Sequence, residues 1–152
     1  MVVATQQGEV LLQKRSASMI THPGGIDISA GGYVDARETP EQAAIRELQE
    51  EMGFAVSAKD LRLVKIYRQN HNLPKLRKKS RVFLYSYVAL LPSAVDVTQV
   101  QANEVAWARF VPLRQAKQLC RRQRIKSLGR LVPKTRVYKD ALAAIEQWLV
   151  TR

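Results

Sequence analysis

The sequence has few means of cross-linking itself or of anchoring in a bilayer. Among its 152 residues there is one cysteine, Cys120, so no internal disulfide can form. No apolar run approaches the roughly 20 residues needed to span a bilayer. The N-terminus shows no basic region followed by an apolar core and a cleavage site. Two histidines, His22 and His71, stand far apart and offer no zinc spacing. There is no internal repeat, low-complexity tract or linker. These absences exclude a disulfide scaffold, a helical membrane protein, a zinc module and a solenoid. They leave a single cytoplasmic domain spanning residues 1–152, long enough to bury roughly two thirds of its unfolded surface. Acid is also scarce: 13 Asp and Glu stand against 25 Lys and Arg, a net charge of +12. Between Arg62 and Lys139 there are 19 basic residues and two acids, Asp96 and Glu104. So basic a segment implies an anionic partner, either a phosphate-rich small molecule or a nucleic acid.

The acid that is present gathers between Gly32 and Phe54, where Glu38, Glu41, Glu47, Glu50 and Glu51 fall. Local signals predict a helix there. Thr39 is a good N-cap, Pro40 suits the first helical position, Gln42 completes a capping box, and Gly53 supplies a left-handed stop. Ile45, Leu48 and Met52 form an apolar stripe, and Glu47, Glu50 and Glu51 an acidic one. Like charges three and four residues apart repel, and a hard divalent cation reverses that sign. Magnesium fits best, with manganese as the alternative, because it binds through a few carboxylates and completes its shell with water and phosphate oxygens. Arg46 then orients a carboxylate rather than forming an isolated surface pair.

Gly32, Glu38, Arg46-Glu47-Leu48, Glu50-Glu51 and Gly53-Phe54, at these spacings, resemble the Nudix box with all nine fixed positions filled across residues 32–54. The resemblance implies an α/β fold, the Nudix-type α/β/α sandwich with a mixed central sheet. It implies metal ligands at Glu47, Glu50 and Glu51, with the carbonyl of Gly32 as a further one. It implies catalytic roles for Glu50, Glu51 and Arg46, with Glu38 assisting metal or helix geometry. Nudix proteins place a further carboxylate on a loop ahead of a stretch like ARFVPL, and Glu104 stands there. The implied chemistry is Mg²⁺-dependent attack of water on phosphorus in a diphosphate, the base being one of Glu50, Glu51 or Glu104.

In chain order, Val2 to Thr5 and Val10 to Gln13 predict two short strands joined by a turn at Gln7-Gly8. Proteins resembling this one carry more residues ahead of the first strand, so a shortened start is the expectation. Ser16 to Gly25 reads as loop and Ile26 to Ala30 as strand. Leu61 to Arg68 is strand-like. Arg81 to Leu91 is apolar on both faces, which predicts a strand covered on both sides. Between them QNHNLPKLRKK predicts a loop that is either solvated and mobile or, through Lys75, Arg77 and Lys79 with Arg81 after it, in contact with substrate phosphate or nucleic acid. Glu104 to Phe110 predicts a strand, and Pro112 opens a helix to about Leu119. Arg121 to Lys139 reads as loop from Ser127-Leu128-Gly129 and Pro133, and Asp140 to Val150 as a closing amphipathic helix. For Cys120, beside Arg121 and Arg122, one reading is a lowered pKa and the commoner one an inert, incidental lone cysteine.

Ahead of the box, HPGGIDISAGGYV is similar to the Nudix subgroup akin to isopentenyl diphosphate isomerase, with Ile26 in place of a tryptophan and Tyr33 in place of a histidine. The isomerases need a cysteine before the His-Pro pair, where this chain has Met19-Ile20-Thr21. Hydrolysis of a nucleoside or other organic diphosphate is therefore the expectation. The alternative is a nucleic-acid-binding or RNA 5′-end-processing protein on the same scaffold.

Overall fold

The computed structural model describes residues 1–73 and 78–151, and side chains outside 71–80. Strands β1 (Val2–Thr5) and β2 (Glu9–Arg15) form a hairpin closed at Gly8, whose φ of 79° and N–H bond to the Thr5 carbonyl make the turn. β3 (Ile26–Ile28) follows, then helix α1 (Pro40–Met52). A long antiparallel ribbon comes next, β4 (Leu61–Leu73) with β5 (Lys78–Leu91). β6 (Val105–Pro112), α2 (Leu113–Arg122), a small hairpin of β7 (Arg124–Ile125) and β8 (Gly129–Arg130), and α3 (Thr135–Val150) complete the chain.

The central sheet is mixed. β1 runs parallel to β5, with Val2 opposite Val88, and every other pairing is antiparallel. β6 pairs along the whole of β2, whose other edge is shared by β1 at Val10 and β3 at Leu12 to Lys14. Because side chains alternate across a strand, neighbouring residues feed different cores. Val2 and Ala4 join Val88, Leu119, Leu142 and Ile145 under α2 and α3, while Val3 joins Leu11, Leu48, Met52 and Ala89 under α1. Each fully buried leucine contributes roughly 1.5–3 kcal/mol. The result is helices on both faces of one sheet, and no helix among the described residues is long and apolar enough to cross a membrane.

α1 forms as its sequence signals require. The Thr39 hydroxyl accepts the Gln42 N–H, the Gln42 side chain accepts the Thr39 N–H at 2.8 Å, and Pro40 stands in the first turn. Gly53 ends the helix at φ 76°, its N–H bonded to the Gln49 carbonyl, and a Cβ there would come within 2.6 Å of the Gln99 carbonyl oxygen.

Four expectations are corrected. The segment Arg121 to Lys139 is not loop: it holds the end of α2, the β7–β8 hairpin and the first turn of α3, which starts five residues before Asp140. Leu128, Leu131, Val132, Val137 and Tyr138 are buried in it and supply the apolar surface that orders it. The expected loop of residues 69–79 is strand at both ends, β4 reaching Leu73 and β5 beginning at Lys78. β5 is covered on both faces only from Ser86 to Leu90, since Phe83 and Tyr85 lie exposed. Finally, burial pushes the Cys120 thiol up to about 11 rather than down, because the side chain points into the core and away from the solvated arginines.

Candidate metal and active site

α1 lays its acidic stripe beside the segment that follows β3. The segment begins at Ser29, held at φ 56° by hydrogen bonds of its N–H and hydroxyl to the Leu11 carbonyl and of the Val3 N–H to that hydroxyl. This turns the chain so that Gly31 and Gly32 pass over α1. The Glu47 carboxylate lies against Gly32 so closely that a methyl group there would fall on it. Only glycine lets backbone and carboxylate approach in this way.

Glu51 is the unusual member. It is 4% exposed and accepts hydrogen bonds from Gln13 Nε2 at 2.8 Å and the Gly31 N–H at 3.3 Å; it makes no direct ion pair among the described residues, and the buried ammonium of Met1 is the cation whose field reaches it. Burial pushes its pKa up to about 7, against the lowering effect of those two bonds, and neighbouring Glu47 and Asp27 raise it further. A buried carboxylate without a direct ion pair is costly.

Arg46 organises the remaining carboxylates. Its Nε and Nη2 bond Glu38 at 3.0 Å, its Nη1 bonds Glu47 at 2.8 Å and Glu50 at 3.1 Å, and Nη2 also reaches the Tyr33 carbonyl. The guanidinium holds the Glu38 carboxyl below the usual carboxylate range, and the Asp35 N–H bond adds to this. Its own pKa rises through its bonds to Glu38 and Glu47. Among the described residues no three acidic, cysteine or histidine side chains stand as a closed cage, since Arg46 draws Glu38, Glu47 and Glu50 towards itself. The donor set still suits a hard divalent cation. Glu47 packed on the Gly32 backbone and the buried Glu51 are oxygen groups whose charge such an ion would balance.

Of the other expected residues, Glu104 and Arg81 stand outside this carboxylate group. Glu104 precedes β6, where it accepts a 3.5 Å bond from Gln101 Nε2 and makes no hydrogen bond or ion pair with Glu47, Glu50 or Glu51 among the described residues. Its loop is tied to the helix, however, by the Gln101 N–H on the Glu51 carbonyl at 3.1 Å. Arg81 is exposed on β5, Lys79 lies in the same strand with its side chain outside the described residues, and Lys75 and Arg77 lie wholly outside them.

Three residues escaped the sequence reading. Gln13 and Asp27 are buried polar side chains on β2 and β3, and Tyr138 of α3 donates its hydroxyl to Asp27. Asp27 also faces Arg15 at 3.5 Å and Lys134 at 3.9 Å. The one available signal was a polar residue interrupting an apolar strand.

The family model of the NUDIX domain matches residues 1–131. A Nudix hydrolase of Pseudomonas aeruginosa is 36% identical over 110 residues, 68% of this chain and 55% of that protein. One from Listeria monocytogenes is 29% identical over 131 residues, covering 86% and 68%. The chain spans about half or less of the length of the first curated relatives it matches. The MutT protein of Methanosarcina mazei superposes with a TM-score of 0.59 at 21% identity, covering 96% of this chain and 91% of that one, a likeness of fold. With the box filled at every fixed position, its glutamates gathered around Arg46 and Gly32, and the family model matched along most of its length, this chain belongs to the Nudix family.

Proposed function

We propose that the chain is a Mg²⁺-dependent pyrophosphohydrolase, Mn²⁺ serving in place of Mg²⁺, that cleaves a diphosphate linkage in a nucleoside diphosphate derivative or related organic pyrophosphate. The observation that carries this reading is Glu51, a buried carboxylate with no direct ion pair among the described residues, bonded to the Gly31 N–H where Glu47 packs on Gly32.

In this reading Glu47, Glu50, Glu51 and the Gly32 carbonyl hold the cation. When bound, it neutralises charge on the diphosphate oxygens and makes the attacking water more acidic. The chain's own residues do the rest. Arg46 bridges Glu47 and Glu50, and Glu38 holds Arg46, so the guanidinium offsets the carboxylates' mutual repulsion until a cation takes over that charge. Gln13 and the Gly31 N–H fix Glu51. The water's proton passes to one carboxylate of the Glu50, Glu51 and Glu104 set. The bond between the attacking oxygen and phosphorus forms as the bond from phosphorus to the bridging oxygen breaks, and two phosphorylated products separate.

The test is product release from nucleoside triphosphates, dinucleotide polyphosphates, nucleotide sugars and coenzymes, with Mg²⁺ or with chelator, for the wild type and Glu51→Gln. A chelator-sensitive turnover that the variant loses is expected. Full activity in Glu51→Gln overturns the reading.

A further inference from the structure

The β4–β5 ribbon extends beyond the layer that α1 covers. Tyr87 is packed beneath α1, but the side chains that follow it on the same face are open. Register sets Ile66 opposite Tyr85, Arg68 opposite Phe83 and Asn70 opposite Arg81. Phe83 is 68% exposed and Ile66 46%, with Tyr85 and Leu63 exposed beside them. Isolated surface hydrophobes need no explanation, whereas a contiguous patch marks an interaction surface.

Charge identifies the partner. Among the described side chains of β4 and β5, Arg68 and Arg81 share the face of Phe83 and Tyr85, and the sequence from Leu61 to Leu91 holds no Asp or Glu. A second copy of the chain fits poorly, because a two-fold contact would place this face against an identical one that offers Arg68 and Arg81 no acidic partner from β4 or β5. The patch instead combines flat rings with cations. Alternate residues on a strand are about 6.8 Å apart, twice the roughly 3.4 Å rise of stacked bases. The rings of Phe83 and Tyr85 therefore repeat at a pitch that suits bases, and an arginine lies across from one ring and next along the strand.

We propose that this face of the ribbon binds single-stranded nucleic acid, with bases on Phe83 and Tyr85 and phosphates on Arg68 and Arg81. Stacking is tolerant of base identity and the arginines read only the backbone, so the surface binds with little sequence preference. Among the described residues, Arg68, Arg81, Phe83 and Tyr85 make no hydrogen bond or ion pair with the carboxylates of α1.

The test is fluorescence anisotropy of a labelled 12-nucleotide single-stranded RNA, its DNA equivalent and the matching duplex, across a salt series. The single strands are expected to bind more tightly than the duplex. The double variant Phe83→Ala/Tyr85→Ala is expected to weaken binding about ten-fold or more, the order expected for a lost stacked base. Arg68→Gln/Arg81→Gln is expected to flatten the salt dependence by about 1.4 in the log–log slope, the share of two phosphate contacts on a single strand. Glu51→Gln is expected to bind as the wild type does. Circular dichroism checks that each variant is folded; Arg68, Arg81, Phe83 and Tyr85 are exposed positions. Absence of binding at low salt overturns the proposal, as does duplex binding equal to single-strand binding. So does a sedimentation result in which Phe83→Ala/Tyr85→Ala dissociates a dimer and leaves oligonucleotide affinity unchanged.

Discussion

Gln13 of β2 donates its side-chain amide to the carboxylate of Glu51 in α1 across 2.8 Å, joining groups 38 residues apart in the chain. The same amide reaches the Ser29 carbonyl, so one side chain links the central sheet, the turn after β3 and helix α1. Glu51 is thus positioned before any ligand arrives.

Glu51→Gln keeps the shape of the side chain and removes its charge. Hydrolysis is expected to fall at least about 100-fold, as for loss of a group that acts mainly in the transition state. Thermal unfolding in chelator is expected to hold steady or rise, since a buried charge without a direct ion pair is gone. Parallel rate and melting measurements check this; equal losses in both would mean that the residue is only structural.

The raised pKa of Glu51 makes stability depend on pH. Its folded-state value of about 7 lies above its ordinary 4.5, so the folded protein favours the protonated acid. The stability this contributes is full below about pH 4.5 and is lost as pH rises through about 7, up to about 3 kcal/mol in all. Urea titrations in chelator between pH 4.5 and 8 should show the decline in the wild type and a flatter profile in Glu51→Gln. An increase with pH over this window for the wild type alone would contradict the assignment.

Gly32→Ala introduces a methyl group where the Glu47 carboxylate now lies. Displacing that carboxylate should raise the Mg²⁺ concentration needed for half-maximal activity by about ten-fold or more, on the scale of a disturbed ligand shell. The melting temperature in chelator should change little, because Gly32 is exposed and not in the left-handed region. A magnesium titration of both proteins decides it.

Arg46→Ala removes the one cation that Glu38, Glu47 and Glu50 share among the described residues. A loss of about 10- to 100-fold in kcat/KM is expected. Arg46→Lys should recover only part of it, since an ammonium group cannot reproduce the planar fork that reaches three carboxylates. Recovery to the wild-type rate would show that charge alone matters here.

What was legible in the sequence was what is local. Thr39, Pro40, Gln42 and Gly53 define α1 within a few residues of themselves, and the structure places its ends as those signals require. Gln13, Asp27 and Tyr138 meet only through the tertiary fold, Tyr138 and Asp27 being 111 residues apart, so no spacing could reveal them. The stretch before α3 misled for a different reason. Its basic residues and turn formers resemble a solvated loop, while the few apolar residues that order it are scattered too irregularly to show a period. In β5 the alternation of apolar residues is real, but whether a neighbour covers both faces depends on where α1 ends its coverage.

Gly53 carries two unrelated demands at once, a left-handed backbone and a 2.6 Å approach to the Gln99 carbonyl. Asparagine, which many helix stops accept, meets the first and fails the second. The position is therefore closed to the drift that a surface cap ordinarily tolerates. A side chain there would be felt first as a shift of the strap from Gln99 to Glu104, so damage to the end of the box would surface as a defect in a loop some fifty residues downstream.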